Sequence, residues 1–401
     1  MKRIYPKNAV AILTLLLAWG YLWSSCVDEY KLPTEISKKF EAEVVIQGRI
    51  LSNEESIIYV SYTSAFNQET AAPIVRDAQV TIIGQDGYRS ELAEYKPENN
   101  CYVINTGNLS TGTQYAIEVE LDGETYQSEY LSLTETPDID EITHQEHEDG
   151  ISIHVTTLAE ETDSRHYMWS YEEDWEIHAE MDLIHTAGYI PIYNEKIYQL
   201  EDPKVNPYYY CWMNSVSRNV NLYSTSMLEE NKVKDVKLLD IPIDDIRITY
   251  IYSILVKQWS LSDAAYNYYE TLEKFTEGSG GLFGPMPTEI IGNVSCISNP
   301  DKKARGYVLA SNVKNKRYFI YRSDFKQIVP QYENCQWQLP DGSYNWEKGW
   351  EFNIKNYGYV AITETGKIDR SSVLYSSYCM NCLKTNNATK KRPDFWPNNH
   401  E

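Results

Sequence analysis

The sequence predicts a mainly β protein. An N-terminal immunoglobulin-like β-sandwich over residues 40–135 is followed by a larger β-rich domain with a short helix over residues 136–378. Three observations predict it. Apolar and polar residues alternate with period two in short runs spaced by turn residues, as half-buried strands require. Asp-Gly pairs at Asp86-Gly87 and Asp122-Gly123 separate β-rich runs and mark hairpins. The aromatic supply is 34 Tyr and 10 Trp against 8 Phe, and side chains with an apolar body and a polar tip suit sheet surfaces and partly dry interfaces.

Taken in order, residues 1–25 read as a signal peptide of the lipoprotein type. Lys2, Arg3 and Lys7 form a basic start, 9–22 is an apolar run, and Leu22-Trp23-Ser24-Ser25-Cys26 places small residues before a cysteine. The apolar run is shorter than the roughly 20 residues of a spanning helix. Cys26 is therefore the expected lipidation site, carrying diacylglycerol and an amide-linked chain such as palmitate, since two or more chains anchor stably where one does not. Residues 26–39 are polar, carry Pro33, and read as a tether.

Strand patterns follow at 41–51, 56–62, 78–83, 90–95, 114–120 and 125–133, which together define the sandwich. Thr136-Pro137-Asp138 marks the junction to the second domain. Its strands are expected at 151–157, 166–176, 208–212, 220–224, 236–239, 246–256, 289–295, 306–310 and 317–322. Residues 262–276 have helical spacing behind Ser262 as N-cap. The glycine-rich stretch 278–287 lacks the GK[ST] ending of a phosphate loop. Residues 379–401 form a polar, cysteine-containing tail.

The formal charge is −22, and removing residues 1–25 takes away three cations and no acid. Binding to nucleic acid or to an anionic membrane surface would need the opposite sign, so the expected membrane contact is through lipid alone. Besides Cys26 there are six cysteines: Cys101, Cys211, Cys296, Cys335, Cys379 and Cys382. An exported chain with this even number can form up to three disulfides, in fifteen connectivities. Cys379-Met380-Asn381-Cys382 is the single CxxC, without the second pair a zinc site needs. His144 and His147 flank carboxylates in 144–150, a segment that reads as a solvated acidic turn and not as a metal site. No metal or cofactor is expected.

Two groups on the run 166–176 stand out. Trp169, Tyr171 and Trp175 fall on one face of a regular strand, where they serve either the core or a ligand surface. Glu172, Glu173 and Asp174 offer carboxylates, of which Glu172 and Asp174 share a face. Retaining glycosidases need two such groups about 5–5.5 Å apart, whereas a solvated strand face needs none. No GxSxG, HExxH or Cys/His signature accompanies them.

The succession of motifs resembles a known family. The lipobox, Ala78-Gln79-Val80-Thr81-Ile82, the run from Tyr167 to Glu176, Tyr210-Cys211-Trp212, the glycine-rich stretch, Ile291-Gly292-Asn293 with Gly306-Tyr307, Cys379-Met380-Asn381-Cys382 and Lys391-Arg392-Pro393-Asp394-Phe395-Trp396 occur in that order. They are similar to the domain-of-unknown-function 4249 family of Bacteroidota outer-membrane lipoproteins. The resemblance implies location in the outer membrane beside a TonB-dependent receptor, and Asp28 and Glu29 resemble the acidic signal that sends such lipoproteins to the cell surface. It implies no catalytic residue. The function expected is a non-enzymatic accessory or ligand-capture partner of a TonB-dependent transporter. A surface adhesin or structural β-protein, and a surface glycan or peptide hydrolase, are the alternatives.

Overall fold

Alternating burial along the first strands shows how the chain builds its first core. In the computed structural model, which describes residues 41–64, 73–160, 164–179, 208–217, 221–278, 290–325 and 381–397 and the backbone of four short strands between 183 and 205, Val44, Ile46 and Ile50 of β1 point inward. Eight strands come from the first 135 residues: β1 (Val44–Leu51), β2 (Glu55–Tyr62), β3 (Gln79–Gly84), β4 (Glu94–Lys96), β5 (Cys101–Asn105), β6 (Gln114–Leu121), β7 (Glu124–Ser128) and β8 (Leu131–Ser132). At the β6–β7 corner Asp122 and Gly123 both have positive φ, 53° and 77°, and Leu121 pairs with Glu124. This is the two-residue type I′ turn that Asp-Gly favours.

The second unit opens with β9 (Glu141–His147), β10 (Gly150–Leu158) and the long β11 (His166–His178). The short strands β12 (Leu183–Ile184), β13 (Ala187–Ile192), β14 (Glu195–Leu200) and β15 (Lys204–Val205) form two separate pairs. Then come β16 (Tyr210–Val216), β17 (Asn221–Ser224), β18 (Lys232–Pro242), β19 (Ile251–Ser260) and helix α1 (Asp263–Gly278). The Ser262 hydroxyl accepts from the Ala265 amide at 3.2 Å, the N-cap expected from the sequence. The start of the strand expected over 246–256 is a turn of 3-10 helix, Ile246–Ile248, capped by the Asp245 carboxylate. The segment read as an acidic turn is mostly strand β9, and the turn shrinks to Glu148-Asp149 because His147 pairs with Gly150.

The first sandwich is not contiguous in sequence. After α1 the chain returns to it with β20 (Val294–Cys296), β21 (Ala304–Arg305) and β22 (Val308–Ser311). β20 extends the sheet of β7, β6 and β3, while β21 and β22 run parallel to β1 in the sheet of β1, β2, β5 and β4. Residues 294–311 thus complete both layers of the unit expected from 40–135. Gly306, at φ +104°, lets this return strand approach: a Cβ there would lie 1.9 Å from the Ile46 carbonyl oxygen.

The chain leaves along β23 (Val313–Tyr321), which joins the sheet β16-β11-β19-β23, with β17 beside β16 on β11. That sheet packs on the three-stranded sheet β18-β10-β9 around Ile151, Ile153, Trp169, Tyr252 and Ile254. The result is a second sandwich. The two units share an apolar seam in which Leu51, Tyr307 and Leu309 of the first meet Met168, Trp259 and Leu261 of the second under α1. The Arg49 guanidinium lies over the Trp259 ring, 4.5 Å from its centroid.

Cys211 and Cys382 form a disulfide, while Cys101 and Cys296 are buried free thiols. Each of the two free thiols belongs to a different sheet of the first sandwich, Cys101 on β5 and Cys296 on β20, and burial pushes the Cys101 thiol up in pKa. Expecting a disulfide at these two is thus corrected: each is buried in its own sheet and neither has a cysteine partner among the described residues. Cys26, Cys335 and Cys379 lie outside the described residues.

Candidate functional site

The side chains of β11 alternate between two faces, and everything notable about the site follows from that. The inward face carries Tyr167, Trp169, Tyr171, Glu173, Trp175 and Ile177. Trp169 is fully buried and Trp175 nearly so, within the second core, with Tyr171 half-buried against them. The aromatic trio does share one face. That face is core, because the three-stranded sheet closes over it and leaves Trp169 and Trp175 no surface for a ligand. The Trp169 indole donates to Gln258 Oε1 at 2.8 Å, as does the Thr157 hydroxyl at 2.7 Å. Gln258 in turn donates to the Pro137 carbonyl at 2.8 Å, tying the domain junction to the core.

Glu173 is the one acid of β11 on this inward face. Arg247 Nη1 reaches it at 2.6 Å and the Tyr252 hydroxyl donates to the same oxygen at 2.7 Å. Arg247 is held from its other side by Asp245 at 2.7 Å. Burial pushes the Tyr252 hydroxyl well above its ordinary pKa, and the Glu173 carboxylate adds to it. Burial pulls Arg247 down, but Asp245 and Glu173 more than offset it and hold the guanidinium charged. Such a pair holds in a core when further hydrogen bonds support it, and here Tyr252 and Asp245 supply them.

The outward face carries Met168, Ser170, Glu172, Asp174, Glu176 and His178. Glu172 is bound by Lys257 of β19. Asp174 accepts from Arg317 of β23 at 3.0 Å, and Arg317 also donates to Ser253 Oγ at 2.8 Å. Burial raises the Asp174 pKa, and Arg317 opposes that rise. Glu176, buried, accepts from the Trp396 indole at 2.9 Å through one oxygen and bonds His178 Nε2 through the other. The His178 ring stacks on Tyr250 at 3.5 Å between centroids, with Tyr209 and Tyr210 each at 4.8 Å.

Residues 381–397 form a strap over this face. It is fixed by Cys211–Cys382, by reciprocal backbone bonds of 2.9 Å between Trp212 and Thr389, and by Trp396 packed with Trp212 and Ile251. Phe395 lies on the Arg317 guanidinium, 3.4 Å from carbon to ring centroid. The outward face is therefore a row of engaged carboxylates between α1 at one end and the strap at the other.

Chemically, the arrangement binds and orders. The paired carboxylates that a hydrolase would draw on, Glu172 and Asp174, do share a face, and each is already engaged by a cation. Lys257, Arg317 and Trp396 escaped the sequence reading as site residues because their partners on β11 lie far away along the chain. One signal was available: Glu172, Asp174 and Glu176 repeat with period two, and such a row on a covered strand requires facing cations. His144 sits on β9 with Nδ1 2.9 Å from the Tyr318 hydroxyl and its ring against Phe325. Its role there is packing.

A search of curated proteins finds no match to this chain. The family described as Domain of unknown function (DUF4249) matches residues 29–317, a span that takes in both sandwiches and α1 and ends inside β23, short of the strap. The sandwich that β20 to β22 complete, the charged strand β11 and its Lys257 and Arg317 partners thus all fall within one family unit, and the chain belongs to the DUF4249 family.

Proposed function

We propose that the protein is a lipid-anchored, non-enzymatic accessory lipoprotein of the outer membrane. It faces outside the cell, docks on a TonB-dependent receptor and helps it capture its ligand. The observation that carries this reading is the state of the central strand: Glu172, Glu173, Asp174 and Glu176 are each engaged by Lys257, Arg247, Arg317 or Trp396 and His178. Charges spent on internal pairs favour a rigid binding body over a reaction centre, where a carboxyl must be open to substrate. The shared seam under α1 supports the same reading, since two sandwiches joined by a common core present their surfaces to a partner at low ordering cost. The Leu22 to Cys26 motif supports the anchor.

Affinity purification of the tagged protein from outer membranes in mild detergent tests it. The expected result is a stoichiometric TonB-dependent receptor, with uptake through that receptor reduced when the lipoprotein is deleted. An empty purification together with unchanged uptake would refute the proposal.

A further inference from the structure

Trp396 meets Glu176 across 220 positions of sequence, and it does so inside a cleft on the outward face of the second sandwich. Trp212 and Ile251 line the cleft, with Tyr210, Phe319 and Tyr321 packed around them. Three features mark the tail as a ligand held in this cleft.

The first is the make-up of the cleft. Aromatic walls with a few placed polar groups are the composition of a binding site. The polar groups here are Glu176, whose side chain is 1% exposed and accepts the Trp396 ring N–H at 2.9 Å, and Arg317, on whose guanidinium Phe395 lies at 3.4 Å. A carboxylate is a costly element of a core and a strong receptor for a ring N–H.

The second is the way the tail is tied. The Trp396 amide donates to the Pro393 carbonyl at 3.0 Å and Arg392 Nη2 to the Trp396 carbonyl at 2.7 Å, so residues 392–396 form a turn closed on itself. The backbone rung of Thr389 with Trp212 and the disulfide at Cys382 both lie before that turn. The turn can therefore leave the cleft while the root of the strap stays latched. Phe395, 42% exposed, forms its outer lip.

The third is an unmet donor. The Trp212 ring N–H is buried in this cluster and has no acceptor among the described residues. The tail fills the space and leaves that group unpaired, which costs it stability in the cleft. A segment not tied to Thr389 is free to bring a carbonyl there.

We propose that this cleft binds an aromatic segment of a partner polypeptide, and that residues 392–396 occupy it as a displaceable internal ligand. The incoming segment carries a Trp, whose ring N–H goes to Glu176, a Phe before it, which lies on Arg317, and a carbonyl for Trp212. The disulfide and the Thr389 rung keep the tail's own Phe-Trp at high effective concentration, so the segment competes with a tethered rival. This inference stands apart from the docking reading, because it concerns the cleft whichever partner supplies the segment.

The test uses the purified full-length protein in detergent, its disulfide intact, and a dye-labelled peptide Lys-Lys-Arg-Pro-Asp-Phe-Trp-Pro, the sequence of residues 390–397. Trp396→Ala should bind the peptide saturably and wild type at least about tenfold more weakly. Adding Glu176→Gln to Trp396→Ala should weaken binding about tenfold, and the same peptide with Ala for Trp, equal in charge, should not bind. In wild type, titration with the peptide should speed amide hydrogen exchange over 392–397 as the turn leaves the cleft. No saturable binding to a Trp396→Ala protein that melts cooperatively, or binding indifferent to Glu176→Gln or to the peptide's Trp, overturns the proposal. So does exchange over 392–397 that the peptide leaves unchanged in wild type, a measurement that decides alone if Trp396→Ala does not fold.

Discussion

Replacing Arg247 with Met should destabilise the second sandwich far more than replacing its partner Glu173 with Gln. The asymmetry follows from what each replacement leaves behind. The Glu173 side chain is 5% exposed and Arg247 19%. In Glu173→Gln, Arg247 keeps Asp245 and the new amide oxygen still accepts from Tyr252, so the loss is that of charge assistance, about 1–2 kcal/mol. In Arg247→Met, a carboxylate stays buried in the core without its cation and with the Tyr252 hydroxyl as a neutral donor, a change that costs about 3–5 kcal/mol. The expected gap is about 1–4 kcal/mol.

Urea unfolding followed by tryptophan fluorescence reads both variants, since Trp169 and Trp175 sit in this core. Equal penalties for the two variants, or the reverse order, would show that the pair does not act as described.

Three further outcomes are expected. Cys382→Ser opens a crosslink spanning 171 residues and should cost about 2–4 kcal/mol while making 381–397 the first site of limited proteolysis; a strap that stays protected would contradict its role as a latch. Gly306→Ala places a Cβ 1.9 Å from the Ile46 carbonyl at φ +104° and should destabilise the first sandwich by more than about 1 kcal/mol, seen as a lowered melting temperature, with an unchanged melt counting against the close approach of the return strand. Glu124, bonded by Ser298, Lys302 and Asn299, is held down to about 2; its contribution is present above the ordinary 4.5 and lost as pH falls toward about 2, and a carboxyl-carbon NMR titration centred on the ordinary value would refute these bonds.

Much of the architecture was legible because it rests on local physics. Period-two burial on β1 reproduces the alternation in its sequence, Asp122-Gly123 adopts the turn its residues favour, and Ser262 caps α1. Where the reading missed, a longer-range term had overridden the local one. The histidine-rich segment is strand β9 because β10 supplies a partner, and 246–248 leaves strand geometry because Asp245 caps a short helix instead. β5, with Cys101, carried too short an alternation to be read.

The sequence by itself determined the β class, the helix and the family, since period, turn chemistry, capping and the order of motifs are properties of neighbours along the chain. Only the tertiary structure decided that 294–311 returns to complete the first sandwich, that Cys211 finds Cys382 while Cys101 and Cys296 stay reduced, and that the face of Trp169 and Trp175 is the inner one. A strand's pattern says that one face will be buried, but which sheet covers it, and which edge is left open, depends on segments that meet from far apart in the sequence. Those pairings are chosen by the burial and hydrogen bonding of the whole fold, and no local window contains them.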